Sequence, residues 1–337
     1  MKEKAAKVAP SDLDTSAIRE RARGVFGVLP ADDENPANPF SEEKIKLGRL
    51  LYFDTRLSKN HDVSCNSCHQ LDRYGVDSEP TSPGHKGQRG GRNSPTVYNA
   101  SLHIAQFWDG RAKDVEEQAG GPVLNPIEMA MPSEEAVLAV LNSIDGYRAL
   151  FNAAFPAEDG GSSITYANMA NAIGAFERKL MTPSAFDAFL EGDDSALTDK
   201  EVAGLETFMD TGCITCHAGP TIGGQMFQKL GLVKPYGTED AGRFEVTGNE
   251  ADRGVFKVPS LRNVAQTGPY LHDGSIDSLD AMIRIMAEHQ LGQTLTPDEL
   301  NSIRVFLGSL TGKIDPLYTA APEPPESGPE TPAPDPT

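Results

Sequence analysis

Two short segments, Cys65-Asn66-Ser67-Cys68-His69 and Cys213-Ile214-Thr215-Cys216-His217, hold every cysteine of this 337-residue chain. A pair of thiols two residues apart, followed at once by a histidine, is the attachment signature of a c-type haem. The chemistry sets the spacing. The thiols add to the two vinyl groups of one porphyrin, and the adjacent imidazole is then placed under the iron as proximal ligand. One zinc shared by both pairs would call for roughly 15–20 intervening residues, whereas 144 separate them here. A thioredoxin-like redox pair needs a βαβ context that this sequence lacks, and four cysteines are too few for a disulfide scaffold. The chain must therefore fold so as to seat two covalently attached haems, one in each half.

The pattern around these segments is helical. Ser41 caps a run carrying Ile45, Leu47, Leu50 and Leu51, and Ser133 opens another with Val137, Leu138 and Leu141. Between 166 and 180, Met169, Ile173, Phe176 and Leu180 form one amphipathic stripe. Residues 198–201 and 296–299 read as capping boxes, the second with Pro297 at the first helical position. Strand signals are short, and 236–254 has no period. The expected fold is mainly α: two cytochrome c-like domains, each with one covalently attached c-type haem, long loops and little β. Residues 15–185 would form the first haem domain and 186–312 the second, with the boundary near Pro183 to Asp194, where Gly192, Asp193, Asp194 and Ser195 fall. From Thr311 on, eight prolines and five acids against one lysine predict a disordered Pro-rich acidic tail over 313–337.

Charge excludes some partners. Lys+Arg 30 against Asp+Glu 49 gives a formal net charge of -19, which disfavours nucleic acid and suits a basic or small partner. No stretch approaches the ~18 consecutive apolar residues of a membrane span. The first residues are basic but lack an apolar core, so a secretion signal is expected to be absent or already removed. Attachment of c-type haem in bacteria takes place outside the inner membrane, so a periplasmic location is expected.

Function turns on the far side of each iron. Two strong axial ligands make an electron carrier, and an open or labile position permits chemistry on peroxide or oxygen. His61, His85 and His103 are candidates on the first haem. His85 sits among four glycines in 82–91, a loop mobile by composition, although a solvated loop histidine would read the same way. Met209, Met226, Met282 and Met286 are candidates on the second, and Leu279, Met282, Ile283 and Met286 also fit a plain helical core stripe. Spacing alone does not choose among them.

Seven motifs in register do more. LGRLLYFDTRLS, GRNSPTVYNA, FWDGRA, NPIEM, FKVPSLRN and GPYLHDG, followed by the methionine-bearing helix, closely resemble the bacterial dihaem cytochrome c peroxidases over nearly all of 15–312. The resemblance implies that His69 is the proximal ligand of a peroxidatic, low-potential haem and His85 its displaceable distal ligand. It implies that His217 is the proximal ligand of an electron-transferring, high-potential haem, with Met286 distal. Trp108 would lie between the haems, Glu128 would be the distal-pocket acid and Gln118 its neighbour. Asn93, Thr267 and Pro269 would hold a calcium ion between the domains. The implied reaction is reduction of hydrogen peroxide to water with electrons from a small cytochrome c or cupredoxin, gated by loss of the distal histidine once the second haem is reduced. Family members are usually homodimers. Related dihaem enzymes that oxidise tryptophans of a precursor protein carry tyrosine on the second haem; residue 286 is Met, and no tyrosine lies between Asp273 and Leu317. A non-catalytic dihaem carrier is the other class. Arg243, Arg253 and Lys257 are candidates for haem propionates or plain loop charges, and His272 is unassigned.

Overall fold

The computed structural model describes residues 13–156 and 161–337. Its helices, in chain order, are α1 (Thr15–Arg23), α2 (Glu42–Phe53), α3 (Cys65–Cys68), α4 (Val115–Leu124), α5 (Glu134–Asn142), α6 (Asp145–Ala154) and α7 (Tyr166–Glu177). They continue as α8 (Ala185–Glu191), α9 (Asp199–Thr211), α10 (Phe244–Thr247), α11 (Leu279–Leu291), α12 (Pro297–Ser309) and α13 (Pro316–Thr319). Among the described residues the only sheet pairs β1 (Phe227–Lys229) antiparallel with β2 (Val255–Lys257). The fold is thus mainly helical with little strand, as expected.

The start signals in the sequence act as the chemistry requires. Ser41 accepts from the Lys44 N–H, and Ser133 from that of Ala136. Thr198 with Glu201, and Thr296 with Glu299, close reciprocal capping boxes on α9 and α12. Each cap satisfies an otherwise orphaned N–H and contributes about 1 kcal/mol.

Apolar faces gather into two cores. The first packs α2, α4, α5, α6 and α7 around Leu51, Tyr52, Tyr147, Phe151 and Phe176. The second packs α8, α9, α11 and α12 around Phe186, Phe189, Leu205, Phe208 and Phe306. Two expectations about organisation need correction. Residue 15 was expected to open the first domain, but Ile18, Ala22 and Phe26 pack into the second core, where Phe26 meets Phe186 edge to face at 5.4 Å. The tail 313–337 was expected to be disordered, yet it lies along the first core. Ile314 and Tyr318 bury against it, Tyr318 meets Phe176 at 5.6 Å, and Arg49 and Arg56 donate to the Ala320 and Pro325 carbonyls. Composition counts how little apolar surface a segment can bury by itself; it does not see a neighbour that supplies the donors and the surface. Proline also lowers the entropy lost on ordering.

Glu177, at the end of α7, is 4% exposed. Burial, reinforced by Glu116 and opposed by Arg178, pushes its carboxyl up to about 8. The unfolded chain gives up that proton in the ordinary carboxylate range while the fold retains it, so this group makes stability fall as pH rises across the interval. Glu177→Gln should remove that slope, and the variant's unfolding midpoint should gain on the parent's between about pH 5 and pH 8.5. Parallel pH profiles would assign the proton elsewhere.

Candidate haem sites

The first Cys pair forms α3, a single turn opening at Ser64, whose N–H donates to the Ser67 hydroxyl at 3.0 Å. The His69 N–H closes on the Cys65 carbonyl at 3.0 Å, and the Tyr52 hydroxyl donates to the His69 carbonyl at 2.7 Å. A fully buried tyrosine of α2 thereby fixes the histidine's backbone, while its Nδ1 is buried without a partner. Burial pushes the Cys65 thiol up strongly and Cys68 up to about 11. A redox-active pair needs the opposite shift. Among the described residues no three His, Cys, Asp or Glu side chains converge on a metal-sized point, so the two Cys pairs do not build a shared zinc site.

Three further groups meet at this turn. Ser82, which begins the Gly-rich loop, lies beside Cys68, and Glu128 is within electrostatic reach of it. His85 is 5% exposed, with both ring nitrogens buried and unpartnered. Its loop is docked through backbone at its leading end and, beyond that, only through exposed side chains, among them Gln88 Nε2 to the Pro126 carbonyl at 3.4 Å and Lys86 Nζ to the Thr337 main-chain oxygen. The His85 N–H donates to the Glu128 carbonyl at 2.7 Å, and Gly84 packs so closely on the 127–128 backbone that a methyl group there would collide with the Ile127 carbonyl. Gly87, Gly90 and Gly91 have open space around them. The Glu128 carboxylate accepts from Asn125 Nδ2 at 3.0 Å. Burial raises its pKa, with Arg111 and the Asn125 bond opposing. Gln118 is half-buried on α4, whose last turn runs into the 125–130 turn through the bond from the Met129 N–H to the Pro122 carbonyl.

The second pair follows Gly212, which ends α9 in the left-handed region (φ 93°). The His217 N–H bonds the Cys213 carbonyl at 3.0 Å, and its Nδ1 faces the Ile222 carbonyl at 3.3 Å. Burial brings His217 down to about 4. The neutral imidazole thus has its Nδ1 proton engaged and Nε2 free to ligate. Beside it opens a mostly apolar space of about 1470 Å³, partly continuous with solvent, lined by Cys213, Cys216, His217, Trp108, Met282 and Met286. The cavity narrows the methionines: Met209 is in the second core and Met226 is off the cavity wall. The two that remain line the cavity and are not core residues.

One wall of this cavity is knit by hydrogen bonds. Trp108 donates from Nε1 to the Asn93 carbonyl at 2.9 Å, and its own carbonyl accepts from the Lys257 N–H at 2.8 Å. Asn93, Thr267 and Pro269 line the same cavity, and the Asn93 side-chain N–H donates to the Glu79 carbonyl, leaving the amide oxygen for another partner. His272 stacks on Phe256 at 4.3 Å, meets Trp108 edge to face at 6.5 Å and bonds Thr238 at 3.0 Å. Arg92 forks onto Asp240 at 2.7 Å twice, and also pairs with Asp109 and Glu245.

The family model for di-haem cytochrome c peroxidase matches residues 42–195. A cytochrome c551 peroxidase of Nitrosomonas europaea is 46% identical over 293 residues, covering 85% of this chain and 86% of the relative. The chain belongs to the di-haem cytochrome c peroxidase family. A second cytochrome c551 peroxidase, from Pseudomonas aeruginosa, is 46% identical over 306 residues, covering 88% of this chain and 87% of that one. A MauG-like protein associated with microbial copper homeostasis superposes with TM-score 0.76 at 28% identity, over 88% of this chain and 97% of that one.

Set against the family, the chain's donors suit a haem at each site. The two buried, unpartnered ring nitrogens of His85 are costly unless a ligand takes one of them. The three distal histidines are now separated. His85 is beside Glu128 at the first site, His61 is half-buried on the segment after Lys59, and His103 lines the second cavity. There His103 Nδ1 lies 3.0 Å from Lys257 Nζ. Lys257 is 6% exposed and brought down to about 7 by burial. Arg243 and Arg253 are engaged elsewhere, over Phe227 and Phe244. The Lys257–His103 pair was missed as a unit because 154 residues separate its members.

Proposed function

We propose that this chain reduces hydrogen peroxide to two waters at the first site, with electrons that arrive through the second. One convergence carries the reading: a buried imidazole without a partner, a carboxyl of raised pKa, and a loop whose backbone is docked only at its leading end, all over the first Cys-x-x-Cys-His. When bound, each haem supplies a one-electron centre, and the first also an iron position for peroxide. His69 and His85 would hold the first iron, and His217 and Met286 the second. A thioether there raises the potential and suits a port for incoming electrons. Lys257 and His103 are the groups placed to receive a propionate.

The chain's own part is positional and protonic. Glu128, oriented by Asn125, moves a proton between the two oxygens of peroxide as general acid–base, with Gln118 beside it. Two electrons and two protons are consumed for each peroxide. Release of His85 requires breaking the His85–Glu128 backbone bond, and the open space around Gly87, Gly90 and Gly91 gives the loop somewhere to go. Trp108 bridges the sites. Asn93, Thr267 and Pro269 offer oxygens only, the donor type that calcium takes. The acidic surface suits a basic electron donor, a small cytochrome c or a cupredoxin, met through a salt-sensitive field. Periplasmic location and homodimerisation complete the proposal.

An optical and EPR titration tests it. Fully oxidised protein should show two low-spin haems, half-reduction should open the first, and peroxide should then be consumed. Two haems that stay six-coordinate, with no peroxide consumed, would make the protein a carrier. His85→Gly should leave the first haem open even when fully oxidised. A persistent bis-histidine spectrum in that variant would place the distal ligand elsewhere.

A further inference from the structure

The final residues of the chain end on the two segments that frame the first site. Beyond Tyr318, Arg56 donates to the Pro325 carbonyl at 2.8 Å and to Ser327 at 3.0 Å, and the Ser143 hydroxyl lies 2.8 Å from that of Thr331. The strap then reaches Lys59. The Asp335 N–H donates to the Lys59 carbonyl at 2.9 Å, and the Asp335 carboxylate lies 3.4 Å from Lys59 Nζ. Last, Lys86 Nζ donates to the main-chain oxygen of Thr337.

These contacts close a ring. The Lys59 N–H is bonded to the Met129 carbonyl at 2.8 Å, the adjacent Glu128 carbonyl takes the His85 N–H, and Lys86 follows His85 directly. The strap therefore holds the Gly-rich loop from its outer side while the 125–130 turn holds it from the inner side. We propose that the end of the C-terminal strap is a latch on the His85 loop, setting how readily that loop undocks. Its grip is of a releasable kind. Lys86 and Thr337 are exposed and share a single hydrogen bond, which is worth little in water, and the part-exposed Asp335–Lys59 pair is weak and screened by salt. A firmer hold would lock the loop, and none would leave the Glu128 bond and the exposed Gln88–Pro126 contact. As the control of His85 release, the latch rests on the function proposed above; as a restraint on the loop it stands alone.

The test measures hydrogen–deuterium exchange of the fully oxidised holoprotein over residues 82–91. The Gly84, His85, Gly87 and Gln88 amides there are hydrogen-bonded. Lys86→Met and a chain shortened to end at Ser327 should each exchange in this loop roughly three- to tenfold faster than the parent, the range expected for weak exposed contacts. Exchange in α2 and α7 should be unchanged. Unchanged loop exchange in Lys86→Met overturns the latch, whatever the shortened chain does. The readout does not depend on His85 being an iron ligand, so a failed His85→Gly spectrum and a failed latch are separate results.

Discussion

Glu128→Gln should leave both haems attached and the oxidised spectra unchanged, while peroxide turnover falls by ~10²–10⁴-fold, the usual contribution of a positioned general acid–base. Glutamine keeps the size of the side chain and can still accept from Asn125 Nδ2, so the pocket should hold its shape. What it loses is a proton that moves. The carboxyl suits that task because burial raises its pKa while Arg111 and Asn125 restrain the rise. Its conjugate base must be present to take the first proton. Parent activity should therefore fall, as pH drops, at a point above the ordinary carboxylate range, and the residual activity of the variant should lack that acid limb. Near-parent turnover, or an unmoved acid limb, would remove Glu128 from the chemistry. A structural role alone would shift the spectra or the stability and leave the limb in place.

What the sequence made legible was local. The haem attachment segments are read from five consecutive residues each, and the caps at Ser41, Ser133, Thr198 and Thr296 act within one turn, so their chemistry is complete in the string. The misses are long-range. Helix α1 carries an amphipathic face but nothing that says which core receives it, and Phe26 finds Phe186 across 160 residues. The Lys257–His103 pair and the Arg92 fork onto Asp240 have the same origin: their members lie 154 and 148 residues apart, and neither residue's own surroundings in the string name its partner. The tail was misread for a different reason. Its composition is that of a chain unable to bury its own surface, and it orders because Arg49, Arg56 and Phe176 belong to a core already built.

Arg262→Met should be the most damaging single change to the second core. Arg262 is 1% exposed; its guanidinium forks onto Asp187 with two bonds of 2.7 Å, and its Nε donates to the Pro220 carbonyl at 2.6 Å. Asp187 also accepts from the Leu29 and Ser184 N–H groups at 2.8 Å each. Burial alone would push that carboxyl up, but the fork overrides it and holds Asp187 below its ordinary range. Removing the cation strands a buried carboxylate, which costs about 3–5 kcal/mol, whereas a buried pair replaced as a whole is often close to neutral. Arg262→Met with Asp187→Asn should therefore recover much of the loss, and a double variant no more stable than the single one would refute the account. The pH dependence adds a second check. The parent's stabilisation from Asp187 is present above the unfolded carboxylate range and fades as pH falls through the lowered native value. The variant's penalty fades as its stranded carboxyl takes up a proton at higher pH. The gap between the two unfolding midpoints should thus narrow on acidification. Because the same guanidinium grips the carbonyl three residues after His217, loosening it should also disturb the second haem's spectrum, tying the stability of that core to the seat of its cofactor.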